Sequence, residues 1–552
     1  MKFALRFFFS LVVLFTYATS FSQDNYYWVK FTDKQNNNHT IANPSTFLTA
    51  ASIERRQIQN IAVNESDLPI TESYIDSLAP YIVELKHRLK WFNMAVVKLI
   101  NETYTDSIIK FPFVDTLGKI EFPPSRATDA DSKFEEVYPL VNQNYVYPNK
   151  YGIAYHQAKM LNTDLLHQLN ERGKGVLVAV MDNGFVNVNN IKGFDSVRSR
   201  ILATYDFVNN ETNVYNDGGH GTNVFSCIAG NIPNQFLGTA PDASFFLLTT
   251  EDNGREWVME EYNWAAAAEW ADSAGAKIFT TSLGYTTFNG DTGNHTYNDL
   301  DGNTTIITRA GNMAFGKGIL VLNSAGNEGS APWHYISAPA DGDSILAVGA
   351  VDSAELIAGF SGRGPTVNGK IKPDVCAQGV KSAVLTVGGD VGYSGGTSFS
   401  CPIMAGSAAS LWGAFPDKTA NDIKVAIIVS CPTFWYPDNE YGYGIPNFYT
   451  AYWLLKTDYN QNILKVTDDV IVYPNPFTNE LNMILYGGKE DKTHLFEIFD
   501  MAGRKVFEKQ IFIRDHTFEL LQAEEARNLA AGKYILRLNR NKNYSHVIIK
   551  GK

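Results

Sequence analysis

The sequence predicts an α/β fold: a parallel sheet with helices on both faces, preceded by a small α+β unit and followed by a β-sandwich. Three observations predict it. Between about Gly152 and Leu455, apolar strand runs alternate with helical stretches. Upstream lies a shorter stretch in which strand-like and helical segments mix. Downstream of Lys456 the helical rhythm gives way to short, closely spaced strands.

In chain order, Lys2 and Arg6 precede an apolar run from Phe7 to Phe15 and the small residues Ala18, Thr19, Ser20 and Ser22. This is the layout of a signal peptide (residues 1–22), cleaved between Ser20 and Gln23. The run is too short to span a bilayer and no other segment reaches spanning length, so no transmembrane anchor is expected. Residues 23–148 read as a separate unit. Tyr26–Phe31 and Trp91–Leu99 are strand-like, Thr49–Ile58 is helical, and Asp115–Pro148 is a turn-rich linker. Its place suggests a propeptide that covers a site and assists a slow-folding parallel sheet; an N-terminal binding module is the alternative.

Residues 149–456 form the main domain, with strands at Gly175–Met181, Ala243–Thr249, Lys277–Thr281, Gly318–Asn323 and Ile345–Ala350, and helices at Trp264–Ala274 and Thr305–Lys317. Residues 457–552 hold Asp469–Phe477, Leu481–Tyr486, Phe496–Phe499, Arg504–Phe507, Lys533–Leu538 and His546–Lys550, the strands of a small sandwich. A length of 552 residues suits two or three such units, and a net charge of −12 offers no basic footprint for nucleic acid. Cys227, Cys376, Cys401 and Cys431 lack metal-binding spacing, and export leaves both disulfides and buried thiols open.

Chemistry concentrates in three short segments. Asp182 ends the strand run in Val178–Gly184, His220 sits in Gly219-His-Gly-Thr222, and Ser398 lies in Gly396-Thr-Ser-Phe-Ser-Cys-Pro402 at a helix start. A serine to attack, an imidazole to take its proton and a carboxylate to orient that imidazole are the three parts of nucleophilic acyl transfer. Asn327, in Asn323-Ser-Ala-Gly-Asn-Glu-Gly329, adds an amide donor for a developing oxyanion. A turn-forming Asp, a structural His and an N-cap Ser are the bland readings of each residue alone; four such contexts in this order outweigh them. Gly392-Tyr-Ser-Gly-Gly396 fits the G-x-S-x-G elbow, but an Asp and then a His must follow, and only His494 and later histidines do. Asp291, Asp299 and Asp301 cluster in the insertion Asn289–Asn303, where structural calcium is conceivable; without a fixed ligand spacing the segment reads as solvated loop, and no cofactor or metal is required.

On these segments, with Ser361–Thr366 and Lys372–Asp374 upstream of the serine, residues 150–450 resemble the subtilase family. The resemblance implies a subtilisin-like fold and a serine endopeptidase acting on proteins through an acyl-enzyme. It gives catalytic roles to Asp182, His220, Ser398 and Asn327, and substrate contacts to Ser282, Leu283, Gly284, Ala325 and Gly326. Asn183, Asn223, Phe399 and Cys401 depart from the usual residues without removing a triad member. A binding protein on the same scaffold and an esterase are the rival readings. The C-terminal unit, with Tyr473–Phe477, Glu497–Arg504, Leu529–Ile535 and Lys550–Lys552, resembles the sorting domain of the type IX secretion system of Bacteroidetes. That implies passage through the periplasm and outer membrane to the medium or cell surface, with the secretion machinery as partner.

Overall fold

A computed structural model describes residues 25–122, 134–140, 146–291, 293–434, 436–456, 470–473, 477, 481–486, 492–513, 518–522, 528–539 and 545–551. The main domain is built on seven parallel strands: β1 (Leu177–Asp182), β2 (Ile201–Asp206), β3 (Ser244–Thr249), β4 (Ile278–Thr281), β5 (Leu320–Ser324), β6 (Leu346–Val351) and β7 (Val375–Gln378). Their spatial order is β7-β6-β5-β4-β1-β3-β2. The chain therefore lays β2 and then the intervening β3 on one side of β1, and afterwards β4 to β7 outward on the other. Ligands gather in the crevice that such a reversal opens at the carboxyl ends of the strands. Asp182 is the last residue of β1, at that crevice.

The apolar runs are continuous because both faces are covered. Val178 and Val180 pack in one core with Phe225 and Ile403, while Ala179 and Met181 pack in the other with Trp264 and Ile307. The first core is closed by helices α1 (His220–Ala229) and α4 (Thr397–Ala414), the second by α2 (Met259–Ala274) and α3 (Ile306–Gly316).

Helix α4 starts at Thr397, which puts Pro402 inside the helix. Proline has no N–H to give to the Ser398 carbonyl one turn back. The Ser282 hydroxyl replaces it, donating to Ser398 O at 2.7 Å.

The N-terminal unit is a four-stranded antiparallel sheet in the order Ile82–Leu89, Met94–Leu99, Tyr26–Phe31, Val114–Ile120. Val114–Ile120 corrects the linker expected from Asp115: it is an edge strand whose Gly118 lies under the Trp28 indole, where a Cβ would come within 2.4 Å of the ring. Trp91, Phe92, Met94 and Val96 pack into the same core as α2 and α3. Arg55 and Arg56, from the helix Ala50–Ile58, reach Asp272 of α2 as fully buried ion pairs. Glu269 of α2 accepts the backbone N–H groups of Lys90 (2.6 Å) and Trp91 (2.9 Å).

The C-terminal unit has one sheet of Val470–Tyr473, Asn482–Tyr486 and Phe518–Gln522, and a second ordered Lys505–Ile513, Lys492–Asp500, Gly532–Leu538, Ser545–Lys550. Phe477, Leu481, Phe496, Leu536 and Ile548 share its core. All four cysteines are buried free thiols, and burial pushes the Cys401 thiol up to about 12. Among the described residues, no helix is long and apolar enough to cross a membrane.

Candidate active site

Three elements bring three side chains together. Strand β1 delivers Asp182, the first residue of α1 is His220, and the second residue of α4 is Ser398. His220 Nδ1 lies 2.7 Å from Asp182 Oδ1, which also accepts the Asn183 N–H at 2.8 Å. A Cβ on Gly221 would stand 2.2 Å from Gly184 O, so only glycine lets α1 approach the β1 loop this closely. All three residues are buried, at 0% (Asp182), 4% (His220) and 5% (Ser398) exposure.

Asn327 follows β5 and is oriented from behind. Its Oδ1 accepts from the Thr397 N–H and hydroxyl, each at 2.9 Å, which leaves Nδ2 as the donor on the cleft side, bonded to Glu135 Oε1. Ser282, Leu283, Gly284 and Gly326 line a cleft of about 520 Å3 beside Ser398. Ala325 does not; it is fully buried, packs in the core behind the cleft, and offers only its backbone, whose N–H bonds Val348 O and whose carbonyl accepts from Ser337.

The residue that sequence reasoning missed stands at the centre. Glu135 belongs to the segment 134–140 that crosses the crevice, with Tyr138 and Pro139 pairing antiparallel to Tyr393 and Gly392. Glu135 Oε1 accepts from the Ser398 hydroxyl (2.7 Å) and from Asn327 Nδ2 (2.7 Å), and Oε2 lies 3.1 Å from His220 Nε2. Phe134 stacks on the His220 ring with centroids 4.6 Å apart. Burial disfavours the imidazolium, but the Asp182 and Glu135 carboxylates more than offset it and push His220 up to about 10. Burial likewise opposes the charge on Glu135, yet His220 and Ser398 hold its carboxyl below the usual range. A protonated imidazole cannot accept a proton, and the single Ser398 proton is committed to a carboxylate.

The decoy Ser394 is spent on this segment, donating to Glu136 O at 2.6 Å. Asp291, Asp299 and Asp301 each serve their own turn: Asp299 accepts from Thr296 N and Oγ1, Asp301 from Asn303 N and Thr304 N, and Asp291 from Asn294 Nδ2. The carboxylates of Glu251, Glu256 and Glu260 converge near the cleft, but Glu251 accepts from the Tyr285 hydroxyl and Glu260 from Asp252 N and Trp257 N.

Residues 173–444 match the model of the subtilase family, residues 26–135 that of the peptidase S8 propeptide domain of Bacteroidota, and residues 471–550 that of a secretion system C-terminal sorting domain. The propeptide match ends on Glu135. Serine protease AprX of Bacillus subtilis is 31% identical over 287 residues, which is 46% of this chain and 60% of AprX. Subtilisin E of Bacillus subtilis is 31% identical over 56% of this chain and 73% of its own length. Subtilisin of Bacillus pumilus is 32% identical over 54% of this chain and 98% of its own. The sorting domain marks the chain for export through the outer membrane to the medium or cell surface.

Proposed function

The chain belongs to the subtilase family of serine proteases, and we propose from this premise that it is an exported endopeptidase held latent by its own segment 134–140. The observation that carries the reading is one carboxylate, that of Glu135, contacting Ser398, Asn327 and His220 together. An anion rests where the negative oxygen of a tetrahedral intermediate would form.

With the segment displaced, Ser398 Oγ attacks the scissile carbonyl carbon as its proton passes to His220 Nε2. Asp182 stabilises the resulting imidazolium through Nδ1. The negative oxygen accepts from Asn327 Nδ2 and the Ser398 N–H, a donor set in which one member contributes about 3–4 kcal/mol. Collapse breaks the C–N bond, His220 returns the proton to the departing amine, and an acyl-enzyme remains. Water then repeats the sequence and restores Ser398. Neither a binding protein nor an esterase has an observation of its own in the structure.

The test is the mass of the matured protein after a fluorophosphonate probe. One adduct on Ser398, together with loss of peptide hydrolysis by at least about 10⁴-fold in a folded Ser398→Ala variant, supports the reading. Hydrolysis retained in that variant sinks it.

A further inference from the structure

The turn between Pro339 and β6 gives its carbonyls to ammonium groups. Lys372 is 2% exposed, and its three N–H groups meet three acceptors: Gly342 O at 2.8 Å, Ile345 O at 2.9 Å and Asp374 Oδ2 at 2.8 Å. Lys424, from the helix Ala420–Val429, donates to the two carbonyls between them, Ser344 O at 3.0 Å and Asp343 O at 3.3 Å. Four consecutive carbonyls thus face two side-chain cations. The two halves differ in their surroundings. Asp343 is exposed and Ser344 half-buried, so water reaches that half, whereas Gly342 and Ile345 are buried. A buried carbonyl deprived of its donor costs free energy, so the Lys372 half is the one that needs a resident partner.

A buried charge is tolerated where every N–H is met and a counter-charge is in contact. Asp374 supplies that counter-charge and is itself fixed, its Oδ2 also accepting the Ala347 N–H at 2.8 Å. Carbonyl and carboxylate oxygens converging on one positive centre are the donor set that hard cations take. The turn also bears on the cleft. Ahead of it, Ala338 pairs through both backbone groups with Tyr285, next to Gly284 of the cleft wall. Behind it, Val348 O of β6 accepts the Ala325 N–H. We propose that the Gly342, Ile345 and Asp374 oxygens form a cation-binding cage whose resident cation is the Lys372 ammonium, and that a free monovalent cation of ammonium or potassium size takes the cage when that ammonium is removed. Lys372 is then a positioning residue: it holds the entry to β6, and through it the cleft wall, with no free ion at this turn.

The experiment measures thermal midpoints of the full-length protein and of its Lys372→Ala variant at one ionic strength, in choline, potassium, ammonium or methylammonium chloride. Choline is too large for the cage and holds the screening constant. In choline the variant should melt at least about 5 °C below wild type, since a buried carboxylate has lost its partner. Ammonium or potassium, replacing choline, should restore most of that loss along a saturating curve, while wild type moves by no more than about 1 °C. A variant that melts alike in all the salts, or that matches wild type in choline, would overturn the assignment. So would wild type gaining as much from ammonium as the variant does, because a filled cage has no room for a second cation. Should the variant fold in none of the salts, labelling of wild type with an amine-reactive ester decides. Lys372 should react only as fast as the domain unfolds, while Lys159, whose side chain is 47% exposed, reacts in the folded protein. Equal rates at the two lysines would place the ammonium outside its cage and end the proposal. None of these readouts needs hydrolysis, so the endopeptidase reading stands or falls separately.

Discussion

Glu135 Oε2 lies 3.1 Å from His220 Nε2, the nitrogen that the proposed mechanism needs unprotonated. The contact comes from within the chain and is buried beneath Phe134. It acts on the base as well as on access: a substrate-shaped plug would block the cleft, whereas this carboxylate also keeps the imidazole charged.

Replacing Glu135 by Gln keeps the shape and removes the charge. Losing one partner of a buried charge pair costs about 2 kcal/mol or more, so the closed state weakens by roughly 30-fold. The uncleaved Glu135→Gln protein should take a fluorophosphonate on Ser398 at least about tenfold faster than the wild-type precursor. Equal labelling rates would assign latency to steric cover alone.

The pH dependence follows from both partners. His220 is raised above 6.5, so its contribution to the closed state is complete below 6.5 and is lost as pH rises through about 10. Glu135 is lowered, so its contribution holds above the ordinary carboxylate range and is lost as pH falls through its depressed value. Latency is therefore firm at neutral pH and opens on the alkaline side near 10. Labelling rates of the precursor and the matured enzyme, measured across pH, should show a lower midpoint for the matured enzyme, whose imidazole has lost one carboxylate. A shared midpoint would contradict the mechanism.

The triad was legible because each member sits in a local context that its neighbours announce: a buried strand ending in Asp182, glycines around His220, a small-residue helix opening at Ser398. Glu135 was not, since its role depends on a docking contact 263 residues away in the chain. Its one sequence cue is the pair Glu135-Glu136 in a polar stretch, which reads as solvated linker. Strand Val114–Ile120 was missed for a related reason: Asp115, Thr116 and Gly118 look like a turn until Trp28 is laid over the glycine.

The Ser282 hydroxyl has a structural duty next to the nucleophile. It supplies the hydrogen bond that Pro402 denies to the Ser398 carbonyl. Ser282→Ala should leave that carbonyl unsatisfied and cost about 1–3 kcal/mol, a drop of several degrees in Tm for a domain of this size. Pro402→Ala restores an N–H in the helix, so the double variant should melt higher than Ser282→Ala alone. Simple additivity of two losses would refute the compensation.

A last prediction separates precursor from matured enzyme. Asp272 sits on α2 of the main domain, and its ion-pair partners Arg55, Arg56 and Lys90 all come from the N-terminal unit. In the precursor the cluster is buried, and removing Asp272 strands the Arg55 guanidinium without its ion-pair partner and leaves Arg56 with Asp67 alone. Breaking such a pair from one side costs about 3–5 kcal/mol. Once the N-terminal unit has left, Asp272 is a lone carboxylate on an uncovered helix, and its loss should change stability by no more than about 0.5 kcal/mol. Asp272→Ala in an uncleavable Ser398→Ala precursor should therefore lower the denaturation midpoint clearly, while the same substitution in the matured enzyme should not. Equal effects in both forms would show that Asp272 serves the main domain itself rather than the clamp that holds the N-terminal unit on it.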